Sequence, residues 1–122
     1  MTTDARQILG QTGESLACAE LERRGYAILA RRFRTRTGEI DIVARDRDTV
    51  VFVEVKARAG TGYGDGAEAV TGWKQRRLAM VALEFLARHR LVGSPCRFDV
   101  VSIAFRDGQS TVEVYANAFG VA

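Results

Sequence analysis

The sequence predicts one α+β domain in which a small mixed sheet is flanked by helices. Two segments carry apolar residues at helical spacing, and the other apolar runs are β-rich and separated by turn residues. The resulting order, α-β-β-β-α-β-β, lacks the strict βαβ alternation of a doubly wound sheet. With 122 residues the chain is long enough for a real core, and we expect residues 1–122 to form one domain.

The first predicted helix spans residues 4–24 and ends at Gly25, a residue well suited to a helix C-cap. Its inward face follows the i, i+3, i+4, i+7 spacing and comprises Glu14, Ala17, Cys18 and Leu21. A buried, unpaired carboxylate is costly, so Glu14 needs a cation, a hydrogen-bond partner or a water-filled cleft. Alternatively, Glu14 lies near the helix start and extends into solvent. The pattern leaves both alternatives open.

A strand is predicted over residues 26–34, and a hairpin over residues 39–57 follows it. Polar residues separate the two β-rich runs of the hairpin. If the turn centres on Arg47 and Asp48, facing residues on one side of the hairpin are all apolar. These pairs are Ile40 with Val55, Ile42 with Val53, and Ala44 with Val51.

The other face of this hairpin carries charge. In the same register Asp41 lies opposite Glu54, and Lys56 projects from the face of Glu54 because it follows two residues later. Facing like charges destabilise a hairpin, so Lys56 or a bound divalent cation is expected to offset the repulsion. The alternative is a simple Lys56 salt bridge on a solvated face.

The second half of the chain completes the fold. A glycine-rich loop over residues 58–68 leads to a helix over residues 71–90 that Thr71 caps. The buried face of this helix is predicted to contain Leu78, Val81, Ala82 and Phe85, broadened by Met80 and Leu83. After a break at Ser94-Pro95, a strand over residues 98–105 and a tight turn at Asp107-Gly108 lead into a last strand over residues 110–116.

Composition excludes several classes of function. The net charge of +3 and a pI of about 9.2 permit nucleic-acid binding without requiring it. With only two cysteines and one histidine a zinc site is not expected, and Cys18 and Cys96 are interpreted as core thiols of a reducing compartment. His89 lies near a helix end, where a structural role is expected. The N-terminal residues lack the apolar core of a signal peptide and no stretch reaches membrane-spanning length, which predicts a cytoplasmic location and no membrane partner.

The carboxylates indicate metal-assisted chemistry. Asp41, Glu54 and also Glu14 are hard oxygen ligands suited to Mg²⁺ or Mn²⁺, and the backbone carbonyl of Val55 offers a further oxygen. Lys56 would then lie close to the attacking water and to the charge that develops on a phosphate. The chemistry that these groups favour is hydrolysis of a phosphodiester.

A wider set of motifs supports this interpretation. It comprises Gly13-Glu14, Gly25-Tyr26, Gly38-Glu39-Ile40-Asp41, the segment 52–58 (Phe-Val-Glu-Val-Lys-Ala-Arg), Lys74-Gln75, and Arg97-Phe98-Asp99-Val100-Val101. The set resembles the PD-(D/E)xK nuclease superfamily and, within it, the small bacterial YraN-like family, which is grouped with Holliday-junction-resolvase-like endonucleases. The resemblance runs from about Gly13 to Ile103.

The resemblance implies a restriction-endonuclease-like α-β-β-β-α-β core with an extra C-terminal hairpin strand. It implies that Asp41 and Glu54 bind the metal, that Lys56 aids the attacking water, and that Glu14 is an outer ligand. It also implies that Lys74 and Gln75 lie near the metal or the scissile phosphate. The chain departs from the named motif because Ile40, not proline, precedes Asp41.

Together these observations predict a Mg²⁺- or Mn²⁺-dependent DNA endonuclease, acting on branched or structured DNA and working as a homodimer. The residues expected to contact nucleic acid are Arg31, Arg32, Arg34, Arg36, Arg58, Lys74 and Gln75. One alternative is a nucleic-acid-binding module that has the nuclease fold but does not cleave. Another, less favoured, is a nucleotide-binding protein that uses the glycines of residues 60–66, which match only the loosest dinucleotide fingerprint.

Overall fold

A computed structural model describes residues 5–59 and 70–119 of the chain, with side chains from residue 12 onward. The order of helices and strands is the predicted one. The elements are α1 (Ala5–Arg23), β1 (Ala27–Arg34), β2 (Glu39–Asp46), β3 (Thr49–Ala59), α2 (Gly72–Arg88), β4 (Cys96–Arg106) and β5 (Gln109–Phe119). The predicted glycine-rich loop, apart from its first two residues, lies outside the described residues.

The five strands form one sheet in the order β1-β2-β3-β4-β5. Strands β3 and β4 are parallel and the other neighbouring pairs are antiparallel, so the sheet is mixed. One core lies between the sheet and α1, and the other lies between the sheet and α2. The predicted α+β class, with the α-β-β-β-α-β order and an added C-terminal strand, is confirmed.

Helix α1 packs closely against the sheet through the face that the sequence predicts. Glu14, Ala17, Cys18 and Leu21 are all buried. A Cβ atom on Gly13 would lie only 2.7 Å from the Cβ of Ala57, so the missing side chain allows the helix to approach β3. The helix ends at Gly25, whose φ of +92° is the left-handed conformation that favours glycine at a C-cap.

The predicted register of the β2–β3 hairpin is confirmed in its closed part and wrong at its open end. Ile42 faces Val53 and Ala44 faces Val51, as expected. The predicted Ile40–Val55 pair is not formed, because the ladder stops at Ile42–Val53. Ile40 is buried in the α2 core, whereas Val55 packs against the α1 core.

The ladder stops there because a side chain takes over one of its hydrogen bonds. The Val55 N–H donates to Oδ2 of Asp41 at 2.7 Å. A buried backbone donor must find an acceptor, and here a carboxylate fills that role. The end of the hairpin is therefore organised around Asp41.

Two predictions about buried side chains are wrong. Met80 and Leu83 do not broaden the buried face of α2, since their exposed fractions are 59% and 64%. The buried stripe extends instead to Leu86, which fills the space beside Phe85. Cys96 is exposed at the start of β4 rather than in the core, whereas the predicted burial of Cys18 is confirmed.

Two local predictions hold. The turn at Asp107-Gly108 has positive φ at both residues, 51° and 75°, which is the geometry of a tight two-residue hairpin turn. The His89 ring stacks on Phe85 at 4.0 Å between centroids, and its Nδ1 lies 2.9 Å from the Phe85 carbonyl oxygen.

Within residues 5–59 and 70–119, neither helix has the length and apolar character needed to cross a bilayer.

Candidate active site

Three elements bring the candidate catalytic side chains together. Asp41 lies near the start of β2, Glu54 and Lys56 lie in the middle of β3, and Lys74 lies in the first turn of α2. Thr71 caps this helix by accepting a hydrogen bond from the Lys74 backbone N–H at 3.2 Å. The cap fixes the first turn of α2 beside the sheet, and this is what directs the Lys74 side chain at Glu54.

Glu54 is the centre of the cluster. Its side chain is buried, and its Oε1 lies 2.6 Å from Nζ of Lys74 and 3.6 Å from Nζ of Lys56. The offset of negative charge predicted for Lys56 is therefore present, and Lys74 supplies the closer of the two ammonium groups. Lys74 thus lies at the Glu54 carboxylate, and its predicted position near the metal or the scissile phosphate remains a prediction.

The choice of lysine at these two positions is specific. Of the 18 Lys and Arg residues in the chain, only Lys56 and Lys74 are lysines. An arginine keeps its proton under all ordinary conditions, whereas the pKa of a buried lysine shifts readily. Every basic position of the chain other than the histidine is therefore an arginine except the two that pair with Glu54, and both of these carry the titratable amine of a lysine.

Asp41 is held in an environment that disfavours its charge. Burial raises the pKa of its carboxyl group from 3.8 to about 7, and the negative charge of Glu54 adds to the effect. The hydrogen bond from the Val55 N–H acts in the opposite direction but is too weak to cancel these effects. A carboxylate in this position gains from any positive charge that approaches it.

The two lysines respond to the cluster in opposite ways. Burial lowers the pKa of Lys56, and the neighbouring positive charge of Lys74 lowers it further, against the attraction of Glu54. Burial also opposes the charge of Lys74, but the hydrogen bond to Glu54 and the negative charges of Glu54 and Asp41 together outweigh burial and leave the pKa of Lys74 raised. One amine is thus easier to deprotonate than usual and the other is harder.

Glu14 is buried on α1 and is paired with arginines, which resolves the two alternatives that the sequence left open. Its two carboxylate oxygens accept hydrogen bonds from Nε of Arg31 at 3.3 Å and Nε of Arg32 at 3.1 Å. Successive residues of a regular strand point to opposite faces. Arg32 has a φ of +53°, and this left-handed conformation lets both arginines reach the same carboxylate.

The remaining residues predicted to contact nucleic acid lie on β1, on β3, on α2 and in the turn between β1 and β2. Arg34 pairs with Glu39 at 3.1 Å, Arg36 is exposed in the turn between β1 and β2, and Arg58 is half-buried on β3. Gln75 donates a hydrogen bond from its amide to the Val70 carbonyl oxygen at 3.0 Å, so it supports the entry into α2. Their predicted contacts with nucleic acid remain predictions.

The donor set suits a hard divalent cation. Asp41 and Glu54 supply carboxylate oxygens, and Mg²⁺ binds to proteins through one or two carboxylates while keeping several waters. A cation between them would also neutralise the charge that raises the Asp41 pKa. Among the residues that the structure describes, no group of three His, Cys, Asp or Glu side chains is arranged to hold a metal. Glu14, turned toward its arginines, is not part of such a group, and its role as a ligand remains a prediction, as does that of the Val55 carbonyl.

Two features near the strands escaped the sequence interpretation. A cleft of about 110 Å³ lies beside the cluster and is lined by Gly38, Glu39, Lys74, Arg77, Leu78 and Val81. Next to it, Trp73 is exposed in the first turn of α2. The sequence did contain a signal for Trp73: it is a large apolar residue outside the buried stripe of α2 and directly precedes Lys74.

A buried polar network lies beside the α1 core. The Asp99 side chain is fully buried and accepts hydrogen bonds from Nε of Arg97 at 3.1 Å and from the Asn117 N–H at 2.8 Å. Arg97 also donates to the Tyr26 hydroxyl at 2.7 Å and pairs with Asp46 at 3.3 Å. The network joins β4 to β5, to β2 and to the segment between α1 and β1, so the Arg97–Asp99 motif stabilises the scaffold.

Comparison with known proteins gives a consistent family relationship. The model of a family described as "Uncharacterised protein family UPF0102" matches residues 13–103. A UPF0102 protein of Geobacter metallireducens is 52% identical over 114 residues, which cover 93% of each chain. A UPF0102 protein of Pelotomaculum thermopropionicum is 45% identical over 118 residues, covering 95% of this chain and 98% of that one.

Proposed function

This chain belongs to the protein family UPF0102, the YraN family predicted from its sequence motifs, and from the side chains of its candidate active site we propose that it is a divalent-metal-dependent endonuclease acting on DNA. The observation that carries the proposal is the cluster at Glu54. Two carboxylates lie together with the chain's only two lysines, whose pKa values shift in opposite directions. Titratable groups of one type whose pKa values diverge are typical of acid–base pairs in active sites.

Each side chain of the cluster has a distinct task. Asp41 and Glu54 would hold Mg²⁺ or Mn²⁺, which on binding supplies a Lewis acid for the scissile phosphate and the attacking water. Lys56, with its lowered pKa, positions this water and accepts its proton. Lys74, with its raised pKa, keeps its positive charge and balances the charge that builds up on the phosphate.

The basic residues on β1 and α2 provide the affinity for DNA. Arg34 and Arg36 lie at the end of β1 and in the following turn, and Arg76 and Arg77 are exposed on α2 near Lys74. Contacts of this kind go to phosphates, so they position a duplex without reading its sequence, and binding is expected to weaken as salt increases. The proposal further specifies branched DNA as the substrate and a homodimer as the active form.

The second candidate is a module that binds nucleic acid without cutting it. The ion pairs from Lys56 and Lys74 to Glu54 favour it, because they satisfy this carboxylate without any metal. Against it stands Asp41, which is half-buried next to Glu54 and, within the described part of the chain, forms no ion pair with a lysine or an arginine at 4 Å or less. A purely structural cluster needs only an acceptor for the Val55 N–H at this position, and the neutral amide of an asparagine would provide one without placing a second negative charge beside Glu54.

The test is cleavage of end-labelled four-way-junction, flap, single-stranded and duplex DNA, with Mg²⁺, Mn²⁺ or EDTA. We expect cation-dependent cutting that is lost in Asp41→Asn and Lys56→Ala. Lys56→Arg separates two roles, because arginine keeps the positive charge but cannot accept a proton. Its inactivity would support the base role, whereas full activity would mean that Lys56 only balances charge.

Asp48→Asn is the matched control for Asp41→Asn. Asp48 is exposed in the turn of the same hairpin, where it accepts a hydrogen bond from Thr49, so the substitution removes a charge without touching the cluster. It is expected to cut like the unsubstituted protein. DNA binding with no cutting under any condition would support the non-catalytic module. Equal cutting by all variants would indicate a contaminating nuclease.

A further inference from the structure

Trp73 is positioned as an exposed aromatic surface beside the candidate active site. Its exposed fraction is 61%, although tryptophan is usually largely buried. It directly precedes Lys74, whose ammonium group reaches Glu54, so the backbone places the indole one residue from the cluster. The cap at Thr71 fixes this first turn of α2.

The indole is also held in place from one side. The guanidinium of Arg77 lies over the Trp73 ring, with Cζ 4.7 Å from the ring centroid. Arg77 is itself fixed, because Nε donates to the Thr37 carbonyl oxygen at 2.9 Å and Nη2 donates to the same oxygen at 2.5 Å. A cation stacked on the ring restrains its motion, and the ring remains largely open to solvent.

Positive charge surrounds this ring. Arg76 and Arg77 are exposed on the same two turns of α2, and Lys74 directly follows Trp73 in the sequence. Proteins that bind single-stranded nucleic acid combine an exposed aromatic ring, on which a base stacks, with basic groups that contact the backbone. The surroundings of Trp73 match both requirements.

We propose that Trp73 stacks on an unpaired base of the substrate, and that the enzyme therefore prefers DNA with an unpaired nucleotide next to the scissile phosphate. The inference rests on the proposed function and narrows its substrate class. Bases within an intact duplex are stacked on their neighbours and cannot cover the indole. Single strands, flaps and the opened centre of a branch provide a free base.

The other occupant to consider is an apolar protein surface, since Met80 and Leu83 are also exposed on α2. Along the helix axis Met80 lies about 10 Å from Trp73 and Leu83 about 15 Å, at 1.5 Å per residue. Arg77 lies between Trp73 and Met80 in the sequence and places its positive charge over one side of the ring. Charge complementarity with phosphate therefore favours a nucleotide at Trp73.

The test uses the fact that Trp73 is the only tryptophan in the chain, so intrinsic tryptophan fluorescence reports on this ring alone. Protein is titrated in EDTA with oligothymidylate and, separately, with a blunt duplex of equal phosphate content. Fluorescence anisotropy of labelled DNA measures binding in parallel. We expect the single strand to quench the fluorescence and the duplex to leave it nearly unchanged at saturation.

Variants provide the second measurement. Loss of one stacked base weakens binding by about 5- to 150-fold, so Trp73→Ala should lose that much affinity for the single strand. Trp73→Phe keeps an aromatic ring and should lose less. Leu83→Ala is the matched control, because Leu83 is equally exposed on the same helix but distant from the site, and its affinity should not change.

Several results would overturn the inference: a bound single strand without quenching, equal quenching by the duplex, equal losses in Trp73→Ala and Leu83→Ala, or no binding of single strands. The readout does not depend on cleavage. Quenching by a protein that never cuts DNA would leave the stacking of Trp73 on an unpaired base standing and refute the endonuclease. Metal-dependent cutting with an unquenched tryptophan would support the endonuclease and refute the stacking.

Discussion

Replacing Asp41 with asparagine is predicted to stabilise the fold near and above neutral pH when no divalent cation is present. The side chain is half-buried beside Glu54, and its pKa is raised from 3.8 to about 7. Asparagine has nearly the same shape, and its carbonyl oxygen can still accept the hydrogen bond from the Val55 N–H. The substitution therefore removes the charge while keeping the local geometry.

The sign follows from the direction of the shift. Below pH 3.8 the carboxyl group is protonated in both the folded and the unfolded chain, so it costs nothing. As the pH rises toward 7 the unfolded chain loses its proton first, and the folded state is progressively destabilised. The rise of this pKa from 3.8 to about 7 corresponds to about 4 kcal/mol at most, reached above pH 7. Water entry and small rearrangements reduce this cost, so we expect a gain of about 1–4 kcal/mol for Asp41→Asn at pH 8.

The assay is urea denaturation of both proteins at pH 4.5, 6 and 8 in EDTA, followed by the same series with Mg²⁺. The stability difference should grow with pH, and added Mg²⁺ should stabilise only the protein that has Asp41. Asp48→Asn should show no comparable gain. The reasoning would be refuted if Asp41→Asn were less stable than the unsubstituted protein at pH 8, because the carboxylate would then be stabilising the fold. It would also be refuted if the stability difference were the same at every pH, because the effect would then not depend on the charge of Asp41.

Three further predictions concern the scaffold and the second lysine. Gly13→Ala should lower the free energy of unfolding by about 1–3 kcal/mol in urea, because its methyl group would press on β3; no loss would mean that α1 packs less closely. Asp99→Ala should cost about 3–5 kcal/mol by the same measurement, because it leaves the Arg97 guanidinium without its main partner, and a loss under 1 kcal/mol would contradict this. Lys74→Gln should tighten Mn²⁺ binding and weaken DNA binding, since its ammonium group now competes with a cation for Glu54; unchanged Mn²⁺ affinity would argue against that competition.

The sequence predicts the framework well because apolar periodicity determines it. The order of elements, the burial of Ala17 and Leu21, and the facing of Ile42 and Val53 all follow from which residues exclude water. The same logic fails at Met80 and Leu83. The periodicity of α2 does not show how wide a stripe the sheet can cover.

The sequence indicates which residues lie near each other at the candidate site, but it does not indicate which contacts they make. Alternation along strands places Asp41 and Glu54 near each other, but it does not show that Asp41 accepts a hydrogen bond from the Val55 N–H and ends the ladder. It also misses the pairing of Lys74 with Glu54, which depends on how the first turn of α2 meets the sheet. Contacts between elements distant in sequence depend on packing, which local patterns do not encode.

The most direct measurement of the central claim is Mn²⁺ binding, followed by electron paramagnetic resonance of the free ion, because it does not require the right DNA substrate. The account predicts saturable binding to the unsubstituted protein that strengthens as the pH rises through 7, where Asp41 loses its proton. Binding should be lost in Asp41→Asn and in Glu54→Gln and be retained in Asp48→Asn. No saturable binding at pH 8, or binding that survives both site substitutions, would contradict the claim that these two carboxylates form a metal site.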